Sequence, residues 1–151
     1  MKTTNALAKI LSASDRSGVY SVTGKIKDFE RTARAARLSV VKVDLKSAKG
    51  KLEFLASLAK TLKFPKHFGQ NWDALHDLLT DLSWLKATGW VILLLNAKPF
   101  ADRHTEDFET AVEVLNAATA HWRSQGKPFW VLVQGDKNWN AGLPLLPDSE
   151  P

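Results

Sequence analysis

An α/β fold in three layers, with a small and mainly parallel β-sheet between helices, is what this chain predicts. Three observations lead there. The runs Leu38–Leu45 (LSVVKVDL), Trp90–Leu95 (WVILLL) and Phe129–Val133 (FWVLV) are short, apolar, and rich in β-branched or aromatic residues. They show little polar alternation, as expected of strands buried on both faces of a parallel sheet. Stretches with helical apolar spacing separate them, which is what crossover connections require. Finally, 151 residues with 44% hydrophobic and 25% charged side chains suffice for one domain with a substantial core.

Taken in order, Thr3–Ser12 has the spacing of a short amphipathic helix, through Leu7, Ile10 and Leu11. Val19–Thr23, between Gly18 and Gly24, reads as an extra N-terminal strand. Asp28 suits a helix start, with Phe29–Arg37 as its body. Lys49–Leu62 repeats apolar residues at Leu52, Leu55, Leu58, Ala59 and Leu62, a helical period. Phe64-Pro65 ends it, since the residue before proline avoids the α region. His67-Phe68-Gly69 is expected to turn, with Gly69 free to take a positive φ. Asn71 is a suitable N-cap for the next helix.

Lys98–Asp102 reads as a single helical turn. Thr105 is the expected N-cap of a long helix to Arg123, with Glu106, Asp107 and Glu109 placed to complement its dipole. Gly126 stops it. Residues 135–151 contain three prolines and two glycines and no periodicity, as in a tail or a surface wrap. The organisation expected is an N-terminal extension over 1–37 packed on the domain, a domain over 38–134, and a tail over 135–151. The extension should lengthen the sheet by its strand and cover one face with its helix.

Composition narrows the function. The chain has no cysteine, hence no disulfide, thiolate nucleophile or zinc-thiolate site. The segment MKTTNALAKILSASD has one short apolar patch broken by Lys9, unlike a secretory leader, and the longest apolar run is too short to span a bilayer. A cytoplasmic protein is the expectation. No P-loop, GxGxxG or GxSxG motif occurs, and the four histidines show no HExxH-like spacing. Neither an enzyme nor a metal or other cofactor is therefore expected.

Net charge is +5 but uneven: residues 1–63 carry 14 Lys/Arg against 5 Asp/Glu, and residues 64–151 carry 7 against 11. Arg31, Arg34, Arg37, Lys42, Lys46, Lys49 and Lys51 could line a stripe that meets phosphate, as in a nucleic-acid-binding module. Their simpler role is a solvated face. The stretch Phe64–Trp84 has the opposite character. Asp73, Asp77 and Asp81 recur every four residues and stack on one side of a helix, opposite Leu75, Leu78, Leu79 and Leu82. Like charges at this spacing weaken an isolated helix, so a cationic partner is the simplest use for them. Each residue also has a plainer role. Asp73 suits the helix dipole, Gly69 and Asn71 make a turn and a cap, and Trp72, Trp84 and Trp90 suit a core.

The run FP-x-x-FG-x-N-x-DAL-x-D, here Phe64, Pro65, Phe68, Gly69, Asn71, Asp73, Ala74, Leu75 and Asp77, resembles the barstar family of ribonuclease inhibitors. A hydrophobic strand, a short turn, a long helix and a last hydrophobic strand follow in the family's order, over residues 38–134. The chain is most similar in form to bacterial barstar-like proteins with an N-terminal extension. The resemblance implies a barstar-like α/β fold whose acidic helix and preceding loop block a ribonuclease active site in a one-to-one complex. It implies partner contacts at His67, Phe68, Gly69, Asn71, Asp73, His76, Asp77 and Thr80. Such a protein acts as an immunity protein or antitoxin, with no catalysis, cofactor, small-molecule substrate or membrane. Two positions depart from the pattern: His67 and His76 stand where the best known member has aromatics. Asn116-Ala117-Ala118 offers no acidic counterpart to that member's contact late in the long helix.

Overall fold

A computed structural model describes residues 2–66, 68–136 and 138–146, with side chains from Ala6 onward. Its elements run α1 (Lys2–Ser12), β1 (Val19–Val22), α2 (Ile26–Ala35), β2 (Ser39–Asp44), α3 (Lys51–Thr61), α4 (Trp72–Leu79), β3 (Trp90–Leu95), α5 (Lys98–Arg103), α6 (Thr105–Ser124) and β4 (Phe129–Gln134). The sheet order is β1-β4-β3-β2. Every pairing is parallel: Val19 lies opposite Val131, Ile92 opposite Val131, and Val41 opposite Ile92. The mainly parallel sheet expected is thus entirely parallel among its named strands.

Alternation along the central strands splits the core in two. Trp90, Ile92, Leu94, Phe129, Val131 and Val133 face one way and meet Phe54, Leu55 and Leu58 of α3, Leu75 and Leu79 of α4, and Phe108, Ala111 and Leu115 of α6. Val91, Leu93, Trp130 and Leu132 face the other way and meet Leu7 and Leu11 of α1 and Phe29 and Ala33 of α2. These two central strands are buried on both faces, as their unbroken apolar runs required. The extension therefore supplies a strand and the helical layer over one face. Trp130 Nε1 seals that layer by donating to the Leu11 carbonyl at 2.8 Å. No described helix is long and apolar enough to cross a membrane.

Several local expectations are corrected. β2 is not buried on both faces, because it is a sheet edge: the exposed Lys42 and Asp44 alternate with the buried Val41 and Val43. Helix α2 starts at Ile26, with Lys25 at the cap and Asp28 inside the first turn, and ends at Ala35. Thr105 is the first residue of α6 and not its cap; its hydroxyl donates to the Ala101 carbonyl of α5 at 3.0 Å, so the two helices are nearly continuous. Leu52 lies on the solvent side of α3, 59% exposed, because Phe54, Leu55 and Leu58 take the inner face. The tail does wrap: the Leu146 N–H donates to Ser21 O (2.9 Å), the Ser21 N–H to Pro144 O (2.8 Å), and Leu146 is fully buried.

Candidate functional site

The loop ahead of α4 is braced from behind by aromatic rings. Phe68 packs edge-on against Phe64 (centroids 5.0 Å), and Phe64 packs edge-on against Trp84 (5.9 Å). Trp84 Nε1 donates to the Leu62 carbonyl at 2.9 Å, tying the end of α3 to the segment after α4. Phe68 is half-buried in this ladder. His67 lies outside the described residues.

Asn71 caps α4 as expected: its Oδ1 accepts from the Ala74 N–H at 2.7 Å, and its Nδ2 donates to the Gly69 carbonyl at 3.3 Å. Gly69 does not take the positive φ expected of it. A Cβ on it would meet the end of the Asn71 side chain, Nδ2, tightly at 3.3 Å and the Ala74 Cβ at an ordinary 3.5 Å. The positive φ falls one residue later, on Gln70 (+52°).

Helix α4 is short, and both of its ends are satisfied. At the far end the Trp122 indole N–H of α6 donates to the Leu79 carbonyl at 2.7 Å, and the Thr80 hydroxyl donates to the His76 carbonyl at 2.9 Å. The first of these bonds engages a carbonyl that a helix C-terminus leaves without an intrahelical partner; the second adds to the bond that the His76 carbonyl already accepts from the Thr80 N–H. Leu75 and Leu79 anchor the inner face. The helix ends at Leu79, so Asp81 is not on it. Only Asp73 and Asp77 make the i,i+4 acidic pair, and Asp81 lies in the turn leading to the buried Leu82.

The outer face is anionic. Asp73 is exposed in the first turn and forms no ion pair among the described residues. The Asp77 side chain is 84% exposed; its nearest basic atom is His76 Nδ1, 3.8 Å from Oδ1, beyond hydrogen-bond reach. His76 is itself half-exposed on the same face. Asn71, Asp73, His76, Asp77 and Thr80 are thus brought together along one short helix and its cap, with Gly69 behind the cap. On the neighbouring α3, Lys51 Nζ lies 5.6 Å from the Trp72 ring centroid.

The basic residues of the N-terminal half behave differently. Arg31 pairs with Asp28 (2.6 Å), and both Arg34 (3.0 Å) and Lys42 (3.2 Å) pair with Glu30. The Arg34 hydrogen bond, then that from Lys42, holds the Glu30 carboxyl below the usual glutamate range. A second lowered carboxyl, Asp44, accepts from Asn96 Nδ2 and the Lys46 N–H, both at 2.9 Å. Helix α2 packs on the sheet face opposite α4.

No curated protein significantly matches the chain. Among solved structures, the ORC2 protein of Aeropyrum pernix, in its ADPNP-ADP complexes, is similar in fold: TM-score 0.58, 16% identity, covering 88% of this chain and 40% of that one. The present chain thus spans less than half the length of that protein, and the likeness is one of fold alone. The family model described as Barstar (barnase inhibitor) matches residues 38–134. This is the stretch that holds β2, β3, β4 and the capped acidic helix, and with that match the chain belongs to the Barstar family.

Proposed function

We propose that this protein inhibits a ribonuclease by occupying its active site with helix α4 and the loop before it, in a one-to-one complex. The observation that carries the reading is a pair of exposed carboxylates, Asp73 and Asp77, on a helix pinned at both ends and lacking any ion pair with Lys or Arg among the described residues. Ribonuclease sites bind phosphate through Arg, Lys and His. A carboxylate presented on a rigid support substitutes for the phosphate through charge-assisted hydrogen bonds. Because the helix is held before binding, little ordering entropy opposes association. An acidic face also speeds the approach of a basic partner, an effect that salt screens.

Asp77 carries the largest share in this reading and Asp73 the next. His76 and Thr80 flank Asp77, while Gly69, Asn71 and Phe68 shape the loop; His67 is the further contact that the family resemblance implies. The same arrangement serves self-protection in the cytoplasm and immunity against a delivered nuclease toxin. The alternative of a nucleic-acid-binding module is weakened, because three of the seven cations of its stripe, Arg31, Arg34 and Lys42, pair with carboxylates of their own chain. The test is a titration against a small basic microbial ribonuclease of the barnase type, following heat and activity together, with wild type beside Asp77→Ala. Tight one-to-one inhibition that weakens in the variant is the expected result. Equal inhibition by a correctly folded Asp73→Ala/Asp77→Ala double variant overturns the assignment of the site.

A further inference from the structure

Six non-glycine residues among those described have a left-handed backbone: Arg37, Lys63, Gln70, Leu82, Asn96 and Ala141. Five have a local reason. Arg37, Lys63 and Leu82 follow the last turns of α2, α3 and α4, where a left-handed residue commonly closes a helix. Asn96 is of a type that visits this region readily. Ala141 shares a tight turn with Gly142, closed by the Leu143 N–H donating to Asn140 O at 3.0 Å.

Gln70 has no such reason. It follows no helix and stands directly before the Asn71 cap. Glycine would adopt its φ of +52° without penalty, and the adjacent Gly69 shows that glycine occurs in this loop. The strain nevertheless sits on a residue with a long polar side chain. That side chain is exposed and makes no hydrogen bond among the described residues. Strained backbone at a surface loop persists where the surroundings over-determine it, and it concentrates at functional sites.

We infer that Gln70 is a specificity-determining contact of the inhibitory surface, a step that rests on the function proposed above. Asp73 and Asp77 attract any cationic nuclease site. A carboxamide is neutral and directional, with two donor hydrogens and an acceptor oxygen on one plane. It rewards a partner that completes its hydrogen bonds and penalises one that leaves them buried and unmet. Charge thus recruits a class of basic ribonucleases, and Gln70 selects among its members. The left-handed backbone sets Gln70 directly before the cap, with its side chain exposed.

The experiment compares wild type, Gln70→Ala, Gln70→Gly and Asp77→Ala against the same barnase-type ribonuclease, with the denaturation midpoint of each protein measured alone. Gln70→Ala keeps a strained non-glycine residue and removes the carboxamide; it is expected to raise the inhibition constant about three- to tenfold. Gln70→Gly should weaken inhibition at least as much while raising the denaturation midpoint, since the strain is relieved. If Gln70→Ala inhibits like wild type while Asp77→Ala does not, the Gln70 assignment falls and the inhibitor reading stands. A glycine variant no more stable than wild type also overturns it. If wild type fails to inhibit, or Asp77→Ala matches it, the parent reading fails and takes this one with it.

Discussion

Helices α2 and α4 are both short, charged and anchored by a few apolar side chains, yet they treat their charges in opposite ways. On α2 two of the three cations meet carboxylates of the chain, Arg31 with Asp28 and Arg34 with Glu30, which Lys42 of the neighbouring strand shares. On α4 the carboxylates repeat at i,i+4, where they repel, and neither meets a lysine or arginine among the described residues. Charges already paired gain little from a partner. Unpaired carboxylates leave a helix less stable alone and gain most from an oppositely charged partner. Under the proposed function α4 therefore faces the nuclease and α2 the solvent, even though the chain as a whole is basic.

The comparison breaks most sharply at Asp77. Asp77→Ala is expected to weaken inhibition by ~2 kcal/mol or more, a magnitude that this family's best known pair helped to set. The folded protein itself should gain ~0.2–0.5 kcal/mol as the repulsion with Asp73 disappears. Inhibition kinetics and denaturant unfolding, measured side by side, check both signs, and a loss of stability would sink the idea of an uncompensated acidic face. Asn71→Ala comes next. It should cost ~1 kcal/mol of stability through the lost cap, read as a lower unfolding midpoint, and it should weaken inhibition because the loop is no longer tied to the helix.

Smallest is Arg34→Ala, at ~1 kcal/mol or less for an exposed pair, with inhibition unchanged. A large effect of this variant on binding would restore α2 as a functional face. The pH dependence sharpens the same contrast. The folded-state pKa of Glu30 is depressed by Arg34 and Lys42, so its stabilising contribution is present above the ordinary glutamate range. It is lost as pH falls through that range toward the folded value. The stability difference between wild type and Glu30→Gln should therefore shrink on acidification; a difference constant from neutral to acid pH would show that the pairing contributes nothing.

How much of this was legible in the residues depended on how local the cause was. WVILLL is a strand over the expected residues and FWVLV over one residue more, because burial on both faces leaves an unbroken apolar run. Asn71 caps its helix because the cap hydrogen bond spans three residues. What depended on the spatial order of strands was not readable. LSVVKVDL looks like its two companions, but it forms the edge, and only there does Lys42 find solvent and Glu30. The four-residue spacing placed Asp73 and Asp77 correctly on one helix and carried Asp81 one turn too far, since α4 ends at Leu79, whose carbonyl accepts from the Trp122 indole N–H of a distant helix. Gly69 was expected to bear the positive φ on residue type alone, and the reversal falls on Gln70 instead.

The placement of β1 between β4 and the closing tail also sets the order of events in folding. Leu11 and Trp130, joined by a buried hydrogen bond, stand 119 positions apart. Ser17 and Phe129, joined by another, stand 112 apart. No strand adjacent to β1 exists until β4 has been made. During synthesis β1 must wait for it, and part of the apolar sheet face waits with it. Contacts this distant close slowly, because the loop entropy is spent before any pairing rewards it. Refolding is therefore expected to be limited by the docking of the first segment onto the last strand, leaving an exposed hydrophobic sheet face as the species most open to aggregation.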